Sequence, residues 1–198
     1  MYVEKKGLPL TEQNKGISVA RTADQVYIRV VGRGTFQNSQ PLRRYALETI
    51  EQGCRRFTVD VGSCPNMDST FLGVLAGIGL RLRQDGPTSA GHITIANVSA
   101  RNLDLLQTLG LDRLFIIEPH KGSGATSLIP AGAELEKLPD SDVEALARPL
   151  DKNETTDLML DAHNNLVRAD ERNAPKFSSV TKFLRETVER RRTPNDKK

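Results

Sequence analysis

Alternating apolar and polar residues mark two short strands near the start of the chain, Ile17–Arg21 and Val26–Val31. Thr22-Ala23-Asp24-Gln25 between them has turn character, so the pair reads as a hairpin. After the loop Gly32-Arg33-Gly34 the period changes: Leu42, Tyr45, Ala46, Thr49 and Ile50 recur at helical spacing. Ser39 or Gln40 ahead of Pro41 is the expected entry, because proline is tolerated in a first helical turn, and Gly53 is the expected exit. Arg56–Val61 follows as a β-rich run. The next helix begins near Asp68, with Phe71, Leu75, Ile78 and Leu82 on one face and ends before Gln84-Asp85-Gly86-Pro87. Gly73, Ala76 and Gly77 form an adjoining face of small residues, suited to close approach against a sheet. Glycines there cost up to about 1 kcal/mol each in helix propensity, which close packing would explain. His92–Val98 is a strand, Ser99 caps a helix through Leu103, Leu106 and Leu109, and Phe115–Glu118 is a last short strand.

The order is β-β-α-β-α-β-α-β. Repeated β-α-β units imply right-handed crossovers and parallel pairing, and the hairpin adds an antiparallel pair. The expected fold is α/β: a mixed sheet of four to five strands with helices packed on one side, plus a C-terminal helical extension. Residues 1–15 read as a polar tail, 16–130 as the α/β domain and 131–153 as a linker with a short helix at Asp140–Ala147; the linker-like stretch 119–139 has room for one weak strand. Residues 154–198 read as a helical hairpin with a basic tail. In the hairpin, Glu154–Asn173 carries a stripe of Leu158, Ala162, Leu166 and Ala169. Pro175 interrupts, and Val180–Arg192, capped by Ser178 or Ser179, presents Phe183, Leu184, Thr187 and Val188. The hairpin could cover the sheet, pair two copies into a homodimer, or bind a partner.

Composition narrows the function classes. The 198 residues are 37% hydrophobic and 27% charged, enough for a packed core, and the net charge of +3 gives no strong general pull toward nucleic acid or acidic membranes. No apolar run approaches the roughly 20 residues needed to cross a bilayer, and the N-terminus has no hydrophobic signal core, so a cytoplasmic location is expected. Cys54 and Cys64 flank an extended segment that sets them roughly 30 Å apart, too far for a disulfide. His92, His120 and His163 are scattered without partners at ligand spacing, so neither a metal nor a cofactor is expected. Gly32–Gln37 has glutamine where a dinucleotide fingerprint needs its third glycine, and Lys121–Ser127 lacks the ending of a phosphate loop; both read as turns. With no nucleophile elbow either, no catalytic constellation is visible and an enzyme is not expected. The C-terminal arginines follow Glu186 and Glu189 without stacking aromatics, and read as a solvated helix end.

Asp68-Ser69-Thr70 is the stretch with chemical content. Asp68 is a natural N-cap, and Ser69 and Thr70 fall in the first helical turn. Capping alone accounts for such residues. A phosphate on Ser69 would also sit well there, beside unpaired N–H groups and the positive end of the helix dipole. It would bring roughly −1.5 to −2 charges against any partner fitted to the neutral hydroxyl.

The run VDVGSCPNMDSTFLGVLAGIGLRL resembles the signature segment of STAS domains, as found in bacterial anti-sigma-factor antagonists. Asp60 matches the strand aspartate, Met67-Asp68-Ser69-Thr70 the loop and hydroxyl pair, and Leu72-Gly73 follows in register. The element order over 17–118 and the later HITIANVSARNLDLLQTLGLDRLF agree as well. The resemblance implies a regulatory binding protein whose partner binding is switched by phosphorylation at Ser69, with Thr70 as second choice. It implies a partner surface of Asp68, Ser69, Thr70 and Phe71. The implied partners are an anti-sigma factor or a serine kinase of the histidine-kinase-like ATPase superfamily, together with a phosphatase. Phe71 stands where the family pattern has glycine. With the added hairpin, it motivates an alternative: a STAS scaffold or adaptor subunit that is never phosphorylated.

Overall fold

The computed structural model describes residues 15–84, 91–120, 136–137 and 151–192. Strands β1 (Gly16–Arg21) and β2 (Gln25–Val31) form the expected antiparallel hairpin. Then α1 (Phe36–Glu51), β3 (Arg56–Ser63), α2 (Ser69–Arg83), β4 (His92–Val98), α3 (Ala100–Thr108) and β5 (Ile116–Pro119) alternate. The strand order is β5-β4-β3-β2-β1-β6, where β6 is the two-residue strand Glu136–Lys137. From β2 to β5 each parallel connection steps to the next neighbour in the same direction. Right-handed crossovers therefore deliver α1, α2 and α3 to one face. Because the order never reverses there, those crossovers create no crevice of the kind in which α/β sheets hold small ligands.

Register confirms which residues line that face. Val26, Phe57 and Ile93 lie side by side, as do Ile28, Val59 and Ile95. Ile17 and Val19 face Val30 and Ile28 across the hairpin. All are at most 2% exposed. The other face is polar: Gln25 donates to the Thr58 hydroxyl at 2.9 Å, and Asp60 accepts from Asn97 at 2.9 Å beside Arg29.

Several boundaries differ from expectation for identifiable reasons. Helix α1 begins at Phe36, leaving Pro41 in its second turn. The early start is supported by side chains: Asn38 accepts from the Thr35 N–H and Asp68 from the Phe36 N–H, both at 2.9 Å. The weak strand expected within 119–139 is β6, and it joins the sheet as a sixth strand by pairing Glu136 and Lys137 with Val19 and Ser18 of β1. The polar tail up to residue 14, Lys121–Ser127 and the short helix at 140–147 lie outside the described residues.

The extension forms α4 (Lys152–Ala169) and α5 (Ala174–Arg192), joined by a 3-10 turn at Glu171–Asn173. Pro175 does not interrupt; it sits in the first turn of α5, where its missing N–H costs nothing. Leu158, Ala162 and Leu166 are at most 5% exposed and join the same core as the sheet. The stripe considered for dimerisation is thus used within the chain. On α5, Leu184 and Val188 are buried, whereas Phe183 points outward.

A polar anchor fixes the turn between these helices. Asn173 donates to the carbonyls of Leu109 and Leu166, both at 2.9 Å. Gly110 adopts φ +67, and a Cβ there would overlap the Asp170 carboxylate. Hydrogen bonds from Arg172, reinforced by Arg113 3.7 Å away, hold the Asp170 carboxyl well below the usual carboxylate range. A folded-state pKa below the unfolded value adds stability that is complete above about pH 4 and declines as pH falls toward the folded value. Asp170→Asn is therefore less stable than wild type at pH 7, with a gap that narrows progressively below about pH 4. Urea titrations across that range test this; a gap independent of pH would show that the carboxylate's charge is not what anchors the turn.

Candidate functional site

The loop after β3 is held by the glycine loop that precedes α1. Gly34 donates to the Asn66 carbonyl at 3.1 Å and accepts from the Asp68 N–H at 2.9 Å, a strand-like pairing beside Met67. The Phe71 ring lies against Gly34, where a Cβ would come within 2.7 Å of a ring carbon. Only glycine permits that approach, so the GRG loop serves packing. Phe71, in place of the family's glycine, is fully buried.

Asp68 caps α2 as expected, and does more. Its Oδ1 accepts from the Phe71 N–H at 2.8 Å, while Oδ2 accepts from the Phe36 N–H at 2.9 Å. One carboxylate thus satisfies orphan donors at the starts of both α1 and α2. Thr70, at 5% exposure, and Phe71 belong to the interior. Of the four residues expected at a partner surface, only Asp68 and Ser69 keep partial access to solvent.

Ser69 does not face open solvent as a bare first-turn residue would. Its Oγ lies 3.0 Å from Nε2 of His163 on α4. Nδ1 of that ring lies 2.7 Å from the Met159 carbonyl and must donate to it. In the neutral ring Nε2 then accepts the Ser69 hydroxyl proton. The Phe177 ring meets the imidazole edge-on at 5.1 Å.

Ser69, Gly73 and Gly77 recur every fourth residue and form one stripe of α2. Of the small-residue face expected to lie on the sheet, Gly73 and Gly77 instead receive α4. A Cβ on Gly73 would overlap the Ala162 backbone carbonyl and lie 2.7 Å from the Ala162 Cβ; one on Gly77 would lie 2.5 Å from Asn165 Nδ2. Phe71, Leu75, Ile78 and Leu82, the opposite face, are buried in the core as expected. Beside the α2–α4 seam is a cavity of about 170 Å³, whose lining includes Arg43, Arg81, Arg168 and Asp161. Arg43 and Asp161 pair at 3.1 Å.

Other candidate chemistry is quiet. Cys54 and Cys64 are buried free thiols; burial pushes the Cys64 thiol up, and its Sγ donates to the Asn66 carbonyl at 3.2 Å. Among the described residues, no group of His, Cys, Asp or Glu is placed to hold a metal, and no helix is long and apolar enough to cross a membrane.

Residues 17–118 match the family described as Mlab, STAS domain. The chain is a STAS-domain protein. Solved structures similar to it include the anti-sigma factor antagonist SpoIIAA in its unphosphorylated form, 21% identical, with a TM-score of 0.42 over 46% of this chain and 82% of that one. The Bacillus cell fate determinant SpoIIAA in the phosphorylated form is also similar, at 21% identity and a TM-score of 0.44 over 52% of this chain and 90% of that one. No curated protein sequence matches the chain. The STAS domain supplies Asp68 and Ser69, and the added helices supply His163, which lies 94 positions from Ser69. Local spacing cannot expose such a pairing. The one available signal is the nearly unbroken apolarity of Phe71–Leu80, which marks a helix covered on both sides.

The double capping role predicts that Asp68→Ala costs about 1–2 kcal/mol, the upper part of the usual range for a lost cap. Asp68→Asn costs less, since its amide oxygen still serves one of the two N–H groups. Chemical denaturation of both variants checks this order; an Asp68→Ala protein as stable as wild type would contradict it.

Proposed function

We propose that this STAS-domain protein is a regulatory binding protein of the anti-sigma-factor antagonist type, switched by phosphorylation of Ser69. The observation that carries the reading is the position of the Ser69 hydroxyl. It sits in the first turn of α2, beside the Asp68 cap, partly accessible and held by a side-chain hydrogen bond to His163. The positive end of the α2 dipole favours an anion at that position. A partner fitted to the neutral hydroxyl would have to desolvate the added charge, which costs several kcal/mol without a cationic match. The contact surface on this side is Asp68 and Ser69. The partner class is an anti-sigma factor or a serine kinase of the histidine-kinase-like ATPase superfamily, with a phosphatase to reset the site. This is binding and modification chemistry in the cytoplasm; the protein is the substrate of the kinase and not itself an enzyme.

A second reading has a specific observation behind it. The buried positions of Thr70 and Phe71 and the cover over Ser69 favour a scaffold or adaptor that uses the domain without phosphate. Mass spectrometry of the 65–81 peptide from protein recovered from its host separates the two. The switch reading expects phosphate on Ser69 in a fraction of molecules. It also expects Ser69→Asp to weaken binding to the co-purified partner about 100-fold or more, and Ser69→Ala to bind without becoming phosphorylated. Undiminished binding by Ser69→Asp, with no phosphate ever found on Ser69 or Thr70, would leave the scaffold reading in place.

A further inference from the structure

The seam between α2 and α4 joins the proposed switch to a part of the chain outside the STAS domain. The stripe Ser69-Gly73-Gly77 offers a shallow channel with no side chain beyond a hydroxymethyl group. A helix carrying a small residue at its crossing point can lie in it with backbones in contact. Helix α4 does this with Ala162 opposite Gly73 and Asn165 opposite Gly77, while His163 reaches Ser69. We propose that α4 is an intramolecular competitor for the partner: it occupies the α2 channel by which the domain meets a helix of its binding partner, and the Ser69–His163 hydrogen bond is the latch that holds it there. The inference rests on the reading of Asp68 and Ser69 as the partner contact, and it extends that contact along α2 to Gly73 and Gly77, adding its class, a small-residue helix, and the element that must leave first.

The latch has a consequence for phosphorylation. With Oγ and Nε2 already at 3.0 Å, a phosphoryl group on Ser69 has no space between them. The imidazole cannot simply swing aside. Its Nδ1 is tied to the Met159 carbonyl, its edge abuts Phe177, and the residue is 5% exposed. Phosphorylation of Ser69 therefore breaks the hydrogen bond to His163, and the phosphate disfavours the closed position of α4. Binding of a helix in the channel and phosphorylation both draw on the same open form, so each shifts the population toward it. The affinity seen by a partner is reduced by the fraction of molecules that are open.

Leu158, Ala162 and Leu166 of α4 enter the common core, but the sheet residues of that core also pack with Leu42 of α1, Leu75 of α2 and Leu106 of α3, so opening of α4 is expected to be local. The test uses the full chain and amide hydrogen exchange, read separately for α4 and for β3 and β4. Ser69→Glu, whose longer side chain does not fit the 3.0 Å approach to His163, is expected to accelerate exchange across α4 on the order of 100-fold, while β3 and β4 stay protected. His163→Ala, which removes the latch from the other side, is expected to give about a tenfold acceleration confined to α4 and α5, the scale of one lost hydrogen bond. The chain has no tryptophan, so Phe177→Trp supplies a single fluorophore beside the latch, whose emission should move to the red when Ser69→Glu is added. Exchange in α4 that is unchanged in both latch variants overturns the proposal. So does acceleration that appears equally in β3 and β4, because α4 would then be an inseparable part of the domain. The outcome is independent of whether Ser69 is phosphorylated in the host. Local opening in Ser69→Glu without native phosphate would leave the cover standing and remove the phosphate switch. A phosphorylated protein with α4 still closed would do the reverse.

Discussion

Backbone contact between Gly73 of α2 and Ala162 of α4 is the constraint on which the rest of the arrangement depends. Two helices come this close only where neither carries a large side chain at the crossing. That requirement explains why a helix otherwise rich in Phe, Leu, Val and Ile contains Gly73 and Gly77, at an intrinsic cost of about 1 kcal/mol each. The close approach brings His163 to Ser69 and sinks Leu158 and Leu166 into the common core. A larger residue at position 73 would separate the helices and dissolve each of these contacts.

The start of α2 is built with similar economy. A single carboxylate, Asp68, completes the N-termini of α1 and α2, and Gly34 lets the loop before α1 lie directly on the Phe71 ring. Phe71 is a buried ring against Gly34 and fixes the register of the turn bearing Ser69. The hydroxyl is presented from a stiff platform.

Much of this was legible in the sequence. Alternation identified β1 to β4, the i, i+4, i+7 pattern identified the buried face of α2, and Asp68 and Ser99 announced their helices by side-chain chemistry that acts within three residues. Pro175 misleads locally, since a proline fits a first helical turn as well as a break, but the other failures depend on a partner far away in the chain. Helix α1 starts early partly because Asp68, 32 positions on, accepts from Phe36. The stretch before residue 139 shows a weak strand, but its place as a sixth strand depends on the edge of β1, more than 100 positions earlier. The glycine strip was visible, but a small-residue face fits a sheet or a helix equally well, and nothing local distinguishes them. His163 looked like an isolated histidine because its partner belongs to another element.

The central claim is that Ser69 is covered by α4 in the resting protein. Nuclear Overhauser contacts in the full-length, unphosphorylated chain, with the histidine ring nitrogens labelled, test it most directly. The account predicts cross-peaks between the His163 ring and the Ser69 β protons, with His163 in the tautomer that protonates Nδ1. A His163 ring that shows no contact with Ser69 and averages between tautomers as a free imidazole does would contradict it.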